Sequence, residues 1–449
     1  MNKYSEQGEK LDGLETIQNY NKLQGIGVFL FTFYYSTLHT FLYSSVEIYT
    51  VVLLVAIILL ILSYLISYKD IIFTLTDTMW ILFFTIFLIN ILSKGIRGFE
   101  IFYDLCVYLL CILFIILTKV SLKEFQTAFK FIKVIAVIFA MSAIFQFLNT
   151  DIYSNFILPL YSSHQQGYIL DFQNQGVYTG FTDQPAYLAG YIVNGIGILI
   201  FLFPFNSKKV FNIILLLLLI IGLILTAKRA HFLFTIMAIL ITFLYSAKNQ
   251  EVIYRFIKTI VITFVVLFFS SIAIYFSQPE GDSPLGKFTS KIVDTINGVL
   301  VGEDISSGRS ILYDYAWGLF IENPIFGIGW KEFMNQSAGL ISSGSHPHNI
   351  YLQLLTELGI IGFVLFIIPL TFTYYISFRM LRKLINKSIT FNKDYTWKNA
   401  LQISLYLQTF FILYGMTGNL LTDYNFLLMY FFACSISMSA AVGLKKQSI

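Results

Sequence analysis

The chain has 449 residues, of which 57% are hydrophobic and only 12% are charged. A soluble domain carries about twice that share of charge, so the composition excludes an ordinary soluble protein and indicates an integral membrane protein. The net charge of +4 is small, and the sequence contains no P-loop, HExxH or CxxC motif, which argues against an ATP-driven motor and against a nucleic-acid partner.

Apolar stretches long enough to cross a bilayer recur along the whole chain. Because a spanning α-helix needs about 20 apolar residues, the pattern predicts an all-α polytopic membrane protein with about twelve transmembrane helices. Cys106, Cys111 and Cys434 fall inside apolar stretches, where cysteine acts as a small hydrophobic residue, so neither a disulfide nor a metal cluster is expected. The predicted spans cover residues 25–44, 46–68, 71–93, 99–118, 130–149, 185–204, 209–227, 230–247, 256–277, 349–377, 399–417 and 424–443.

The basic residues give this map an orientation. With the N-terminus in the cytoplasm, about 21 of the 29 Lys and Arg residues fall on the cytoplasmic side, which is the bias expected of membrane proteins. The polar N-terminal stretch does not resemble a cleavable signal peptide. The predicted parts are a cytoplasmic tail over 1–24, nine spans over 25–277, a large extracytoplasmic loop with an amphipathic helix over 278–348, and three spans with a short cytoplasmic tail over 349–449.

The predicted outer loop over 149–184 contains no Lys or Arg and is rich in amides, tyrosines and glycines. Such side chains suit hydrogen bonding to, and stacking on, sugars, although an ordinary polar loop is an equal alternative. At its end, Asp183 followed by Pro185 predicts a helix start with Asp183 as the cap. The free N–H groups of that helix would offer a phosphate contact.

Lys228 and Arg229 lie in a short outer turn between two apolar spans, where the positive-inside bias disfavours them. Such a pair either extends to lipid headgroups or, together with another outer arginine, forms an anion site. Arg309 is that candidate, because a cation in the first turn of a helix opposes the helix dipole and calls for a reason other than stability. The guanidinium fork binds phosphate in a bidentate manner and keeps its charge.

The segment after Arg309 predicts an amphipathic helix that is capped by Ser306 or Ser307 and stops at Asn323–Pro324. Its His348, directly before a span, has the side chain best suited to accept a hydroxyl proton near neutrality, with a helix-capping or interfacial histidine as the alternative. His346 and His348 lack further metal-ligand partners, so zinc is not expected. One helix face is predicted to hold Arg309, Tyr313, Ala316, Trp317 and Phe320. Ionisable residues within or beside spans, which are functional suspects by default, are Glu357, Asp77, Asp104 and His39.

The stretch SGRSILYDYAWGLFIENPIFGIGW, followed by HNIYLQLLTELGIIG, resembles the signature region of the O-antigen ligase and polysaccharide polymerase family. TAKRAHFLF resembles a short arginine element of that family, and FTDQPAYLAGY resembles the segment before an earlier span. The likeness covers about residues 179–362, and the combination of motifs is more specific than any one of them.

The resemblance implies a GT-C-like fold and an inverting, metal-independent glycosyltransferase without a cofactor. It implies transfer from an undecaprenyl-diphosphate-linked oligosaccharide to a glycan or lipid acceptor at the outer face of the bacterial cytoplasmic membrane, with membrane lipids and a chain-length regulator as partners. Arg229 and Arg309 match the arginines expected to bind the diphosphate, and His348 matches the histidine expected to act on the acceptor hydroxyl. Residues 228, 230 and 231 depart from the family pattern. Further substrate contacts are predicted at Lys228, Asp183, Tyr313, Trp317 and Asn349.

Three alternatives remain open. The motifs do not separate a polymerase, which extends a carrier-linked glycan, from a ligase, which transfers the finished glycan to lipid A core or protein; the 149–184 loop favours the polymerase. A lipid-linked oligosaccharide flippase also suits about twelve spans, but no internal repeat is visible. A metal-dependent glycosyltransferase is disfavoured, because its acidic first outer loop has only Glu47 as a counterpart.

Overall fold

The computed structural model describes residues 25–40, 46–67, 72–95, 98–119, 122–202, 209–247, 309–338, 345–386 and 396–446. Within these ranges the chain is almost entirely helical, and an isolated bridge between Thr40 and Thr182 is the extended pairing. The helices are α1 (25–37), α2 (Val46–Ser67), α3 (Leu75–Lys94), α4 (Phe99–Leu117), α5 (Leu122–Leu148), α6 (Ser163–Asn174), α7 (Pro185–Phe201), α8 (Lys209–Leu225), α9 (Arg229–Ser246), α10 (Arg309–Glu322), α11 (Glu332–Ser337), α12 (Ile350–Asn386), α13 (Trp397–Tyr414) and α14 (Tyr424–Lys446). Short helical turns from Thr150 to Leu160 join α5 to α6.

The helices have the length and composition of membrane spans. Among the residues that the structure describes, six helices are long and apolar enough to cross a bilayer, namely α3, α4, α5, α9, α12 and α14. Shorter apolar segments lie over Thr50–Leu62, Pro185–Phe201 and Val210–Leu225. The prediction of an all-α polytopic membrane protein is therefore confirmed. A helix occupies every predicted span except 256–277, which lies outside the described residues, so the count of twelve stays a prediction.

Two helices extend well beyond their predicted spans for a common reason. Helix α5 begins at Leu122, eight residues before the predicted 130, and α12 continues to Asn386 instead of ending at 377. Both additions carry charged residues, which an apolar window excludes although Lys, Arg and Glu are good helix formers. The apolar stretch thus marks the part of a helix that suits lipid, and the helix itself extends beyond it.

Helix α12 is broken at a glycine, and another segment of the chain packs into the break. Gly359 adopts φ +68° and ψ −172°, which interrupts the helix. The segment from Pro324 to Gly329 binds the freed backbone: Ile360 N donates to Pro324 O at 2.8 Å, and Gly329 N donates to Glu357 O at 3.0 Å. Non-helical backbone at the membrane is tolerated where protein satisfies it in this way. We call this contact between 324–329 and the Gly359 break the interlock.

The described polar loops gather at one end of the bundle. Tyr178 N donates to Leu225 O at 3.0 Å, which joins the 149–184 segment to the turn at 226–229. Arg309 donates to Thr417 O at 3.0 Å, which joins the start of α10 to the 415–423 segment, and Lys228 and Asp423 interact electrostatically between the two pairs. We call this the site end. At the opposite end, Lys119 pairs with Asp77 at 2.9 Å. The loops that the sequence places on the outer side therefore share one end of the molecule.

Candidate active site

The turn over 415–423, between α13 and α14, forms the base of the site. Its backbone oxygens accept hydrogen bonds from two segments that are distant in the sequence. Ile350 N donates to Gly415 O at 2.9 Å, and Arg309 Nη1 donates to Thr417 O at 3.0 Å. Asn419 O closes the turn by accepting from Asp423 N at 2.8 Å. The start of α12 and the start of α10 are thus fixed against the same few backbone atoms. Sequence reasoning missed this turn, because carbonyl oxygens leave no signature in the residue types.

His348 lies directly before α12, in a backbone conformation that needs support. Its φ is +51°, a left-handed value that histidine adopts more often than most side chains but still rarely. Asn349 supplies part of the support, because its Oδ1 accepts from Tyr351 N at 3.0 Å and from Leu352 N at 3.2 Å and so caps α12. The oxygen of Asn349, predicted as a substrate contact, is engaged in this cap.

Two cations act on the His348 imidazole. Burial is the largest cause that lowers its pKa, to about 4, and Arg309 and Lys228 lower it further. A like charge disfavours the imidazolium, so the positive charges of Arg309 and Lys228 both act on this ring. His348 is therefore a neutral imidazole at pH 7, able to accept a proton. The structure brings together Lys228, Arg309 and His348, which are widely separated in the sequence.

Helix α10 presents Arg309 and Tyr313 to the site. The Tyr313 hydroxyl lies 3.5 Å from His348 O, and burial raises the pKa of Tyr313 while Arg309 lowers it. The buried stripe of this helix differs from the predicted face, since it consists of Leu312, Ala316 and Leu319. Trp317 is 50% exposed and packs on Phe320 with the ring centroids 5.3 Å apart. At 1.5 Å per residue, Trp317 lies about 12 Å along the helix from Arg309, away from the cation pair.

Lys228 and Arg229 stand at the start of α9. Lys228 precedes the first helical residue, and its Nζ lies 5.9 Å from the centre of the Phe172 ring on α6. The 149–184 segment therefore folds over this cation, in a cation–π contact. Arg229 is the first residue of α9 and is half-buried at the same end of the helix.

Asp183 does not cap α7. The cap position is Gln184, and Asp183 instead receives a hydrogen bond from Gln165 Nε2 at 3.2 Å and faces His39 Nδ1 at 3.9 Å. The local capping prediction is wrong because Gln165 of α6 and His39, in the turn after α1, contact the carboxyl group instead. Burial raises the pKa of Asp183 to about 7.

A second carboxyl, Asp423, lies in the turn at the base of the site. Burial raises its pKa to about 7, against the opposing effects of a hydrogen bond with Tyr187 and of Lys228, while Asp183 adds to the increase. The charges of Lys228 and Asp183 both act on Asp423, so this carboxyl belongs to the same end of the bundle. The polar sequence between the last two spans is the signal that points to Asp423.

Asp104 of α4, weighed only lightly from the sequence, anchors the loop beyond α10. Its carboxylate accepts from Trp330 Nε1 at 2.6 Å and pairs with Lys331 Nζ at 2.9 Å. The Tyr424 hydroxyl, at the start of α14, also donates to it. A fully buried carboxylate with three donors is a well-satisfied group and holds this loop to the base of the site.

Residues 214–367 match the family model described as O-antigen ligase. The match includes Lys228, Arg229, Arg309 and His348, as well as both sides of the interlock. No curated protein matches the chain. Within the described part of the chain, no three His, Cys, Asp or Glu side chains are grouped so that they could hold a metal ion.

Proposed function

From the match of residues 214–367 to the O-antigen ligase family model, we propose that this chain transfers glycan from a polyprenyl-diphosphate-linked oligosaccharide to an acceptor hydroxyl, with inversion and without a metal. The site end then faces the outer side of the bacterial cytoplasmic membrane, with both termini in the cytoplasm. The observation that supports the proposal best is that Arg309 and the residue two after His348 bond the same turn, at Thr417 O and Gly415 O. The charges of Arg309 and Lys228 also act on the His348 imidazole. Such a site suits a doubly charged leaving group beside a proton acceptor.

In this proposal Arg309 and Lys228, with Arg229, bind the donor diphosphate. As the bond between the anomeric carbon and the phosphate oxygen breaks, negative charge grows on that oxygen. Fixed cations at this position stabilise the transition state more than the ground state, because the site is already arranged around the developing charge. Arg309 is held for this task by its bond to Thr417 O. A diphosphate is a good leaving group, so its departure needs no general acid.

His348 accepts the proton of the acceptor hydroxyl while the hydroxyl oxygen attacks the anomeric carbon from the face opposite the diphosphate. The carbon–oxygen bond to the acceptor forms as the bond to phosphate breaks, and polyprenyl diphosphate departs. The pKa of free His348 is lowered in part by Arg309 and Lys228. A bound diphosphate offsets these cations, so the imidazole becomes a stronger base once the donor is in place.

A polymerase is the favoured form of the activity. The support is that the sugar-compatible 149–184 segment lies over Lys228 through Phe172 rather than away from the site. In that position its amides and tyrosines would contact the sugars next to the diphosphate. A ligase shares the same chemistry but uses a finished glycan and a lipid A core or protein acceptor.

The test is a transfer assay with purified protein, a labelled lipid-linked oligosaccharide and excess chelator. We expect a ladder of longer carrier-linked glycans, whereas a ligase would label only an added lipid A core or protein acceptor. Arg309→Ala and His348→Ala should each lower kcat by about 100-fold or more. Arg382→Ala is the matched control, because this arginine also bonds a backbone oxygen, Ala247 O at 3.2 Å, but at the other end of the bundle. Full activity of both site variants would remove these residues from the mechanism.

A further inference from the structure

The hydroxyl of Ser345 contacts the His348 ring. Its Oγ lies 3.3 Å from His348 Nε2 and also 3.3 Å from His346 O. Ser337, at the end of α11, holds Ser345 in place: Ser345 N donates to Ser337 Oγ at 3.0 Å, and Ser337 Oγ donates to Ser345 O at 2.9 Å. The hydroxyl that faces the imidazole is therefore anchored from its own backbone.

The single proton of the Ser345 hydroxyl limits how the hydroxyl can pair with the imidazole. A serine hydroxyl has one proton to donate and two lone pairs. A carbonyl oxygen can only accept, so the contact to His346 O uses the Ser345 proton. With the Ser345 proton directed at His346 O, the lone pairs of Oγ are left for His348 Nε2, which favours a proton on Nε2 and a hydrogen bond from Nε2 to Ser345 Oγ. A neutral imidazole with a proton on Nε2 has its free lone pair on Nδ1.

We propose that Ser345 is a positioning residue that holds His348 as the Nε2–H tautomer, so that Nδ1 is the atom that takes the proton from the acceptor hydroxyl. This inference rests on the proposed function and assigns the atom at which its proton transfer occurs. Among the described residues, Nδ1 has no hydrogen-bond partner. Nδ1 is therefore the ring nitrogen that remains for a substrate hydroxyl.

The same contact also serves the product of the proton transfer. After Nδ1 has gained the proton, the imidazolium donates from Nε2 to Ser345 Oγ, and a hydrogen bond from a charged donor is stronger than one from a neutral donor. Ser345 therefore stabilises the charged form more than the neutral form. The left-handed backbone of His348 and the Asn349 cap keep the ring facing this hydroxyl.

The first experiment measures the tautomer directly. The chain has five histidines, so ¹⁵N-histidine labelling of the full-length protein in lipid nanodiscs gives few signals, and the His348→Gln variant identifies those of His348. At pH 7 we expect a protonated Nε2 and an unprotonated Nδ1. A proton on Nδ1 would overturn the inference, and the measurement does not depend on any activity.

The second experiment compares the pH dependence of kcat for wild type, Ser345→Ala and Ser345→Thr. Loss of the hydroxyl should lower kcat by about 2- to 10-fold and move the acid limb down by about half a pH unit, because the imidazolium loses its acceptor. A merely structural role predicts the opposite shift, since a loosened, hydrated imidazole returns toward its ordinary pKa, and an upward shift would refute the inference. Thr should restore the wild-type limb. Ser93→Ala should change nothing, because within the described residues this hydroxyl bonds Asn90 O of its own helix.

The two proposals fail in different ways. Full activity of His348→Ala contradicts the proposed function whatever the tautomer. An inactive His348→Ala combined with an Nδ1–H signal or an upward shift contradicts only the role of Ser345.

Discussion

The interlock at Gly359 allows the effect of a single methyl group to be worked out. Gly359 occupies a backbone region that is accessible almost only to glycine, and an alanine there costs about 2 kcal/mol. Its Cβ would lie 2.2 Å from Ile325 O and 2.6 Å from Phe326 N, so the 324–329 segment must move. Moving it breaks the bonds from Ile360 N at 2.8 Å and Ile361 N at 3.4 Å, which contribute about 1 kcal/mol each. We therefore expect Gly359→Ala to reduce the free energy of unfolding by about 4 kcal/mol.

The assay is the apparent melting temperature of the purified protein in detergent, measured beside Gly318→Ala. Gly318 lies within α10, and a Cβ added there meets no atom within 4 Å, so this control should be unchanged or slightly more stable. Gly327→Ala disrupts the interlock from its other side, because the added Cβ would lie 2.4 Å from the Glu357 carbonyl carbon. Because both variants break one interlock, the double variant should lose less than the sum of the single losses. A Gly359→Ala protein that melts together with Gly318→Ala would refute the reasoning.

Two further predictions concern charge. Asp104→Asn leaves Lys331 without its buried partner and should destabilise the protein by about 3 kcal/mol. Glu100→Gln removes a 75% exposed carboxylate that lies 3.9 Å from the same lysine, so this variant should have little effect. Equal melting temperatures for the two variants would show that Asp104 is not an anchor. The acid limb of kcat/KM should lie near pH 4, because free His348 must be neutral to accept a proton and its pKa is lowered to about 4. The acid limb of kcat should lie at higher pH, because the bound diphosphate offsets the charges of Arg309 and Lys228. Coincident limbs would contradict this account.

The sequence was sufficient for the features that depend on residue type. Apolar length located the helices, since only a spanning helix needs so many consecutive apolar residues, and Pro185 opens α7 as predicted. Arg309 and His348 could be selected because a cation in a first turn and a histidine before a span are unusual choices. Their meeting was a hypothesis from the motif likeness, and the structure supplies the electrostatic link between them.

The predictions that failed, and the residues that were missed, depend on long-range contacts. Asp183 had the local pattern of a helix cap, but His39 and Gln165 reach its carboxylate in the fold. Asp104 looked like any acid near a membrane span until Trp330 and Lys331 were placed against it. A residue whose role depends on a partner far away in the chain cannot be assigned from its neighbours in sequence.

The contacts among α10, α12 and the 415–423 turn also explain why only a few residues of the family-like stretch have an evident role in the sequence. Helix α10 and the first turns of α12 are joined in the middle by Thr356 Oγ1, which donates to Ala316 O at 3.0 Å. The interlock joins them at one end, and the 415–423 turn joins them at the other. Nearly all of these fastenings end on backbone oxygens, which any residue can supply, so the sequence reveals only the glycines that permit close approach and the side chains that face the site. Arg309 and His348 are therefore held by the same set of backbone hydrogen bonds, whereas Lys228 enters from α9, which packs along α13.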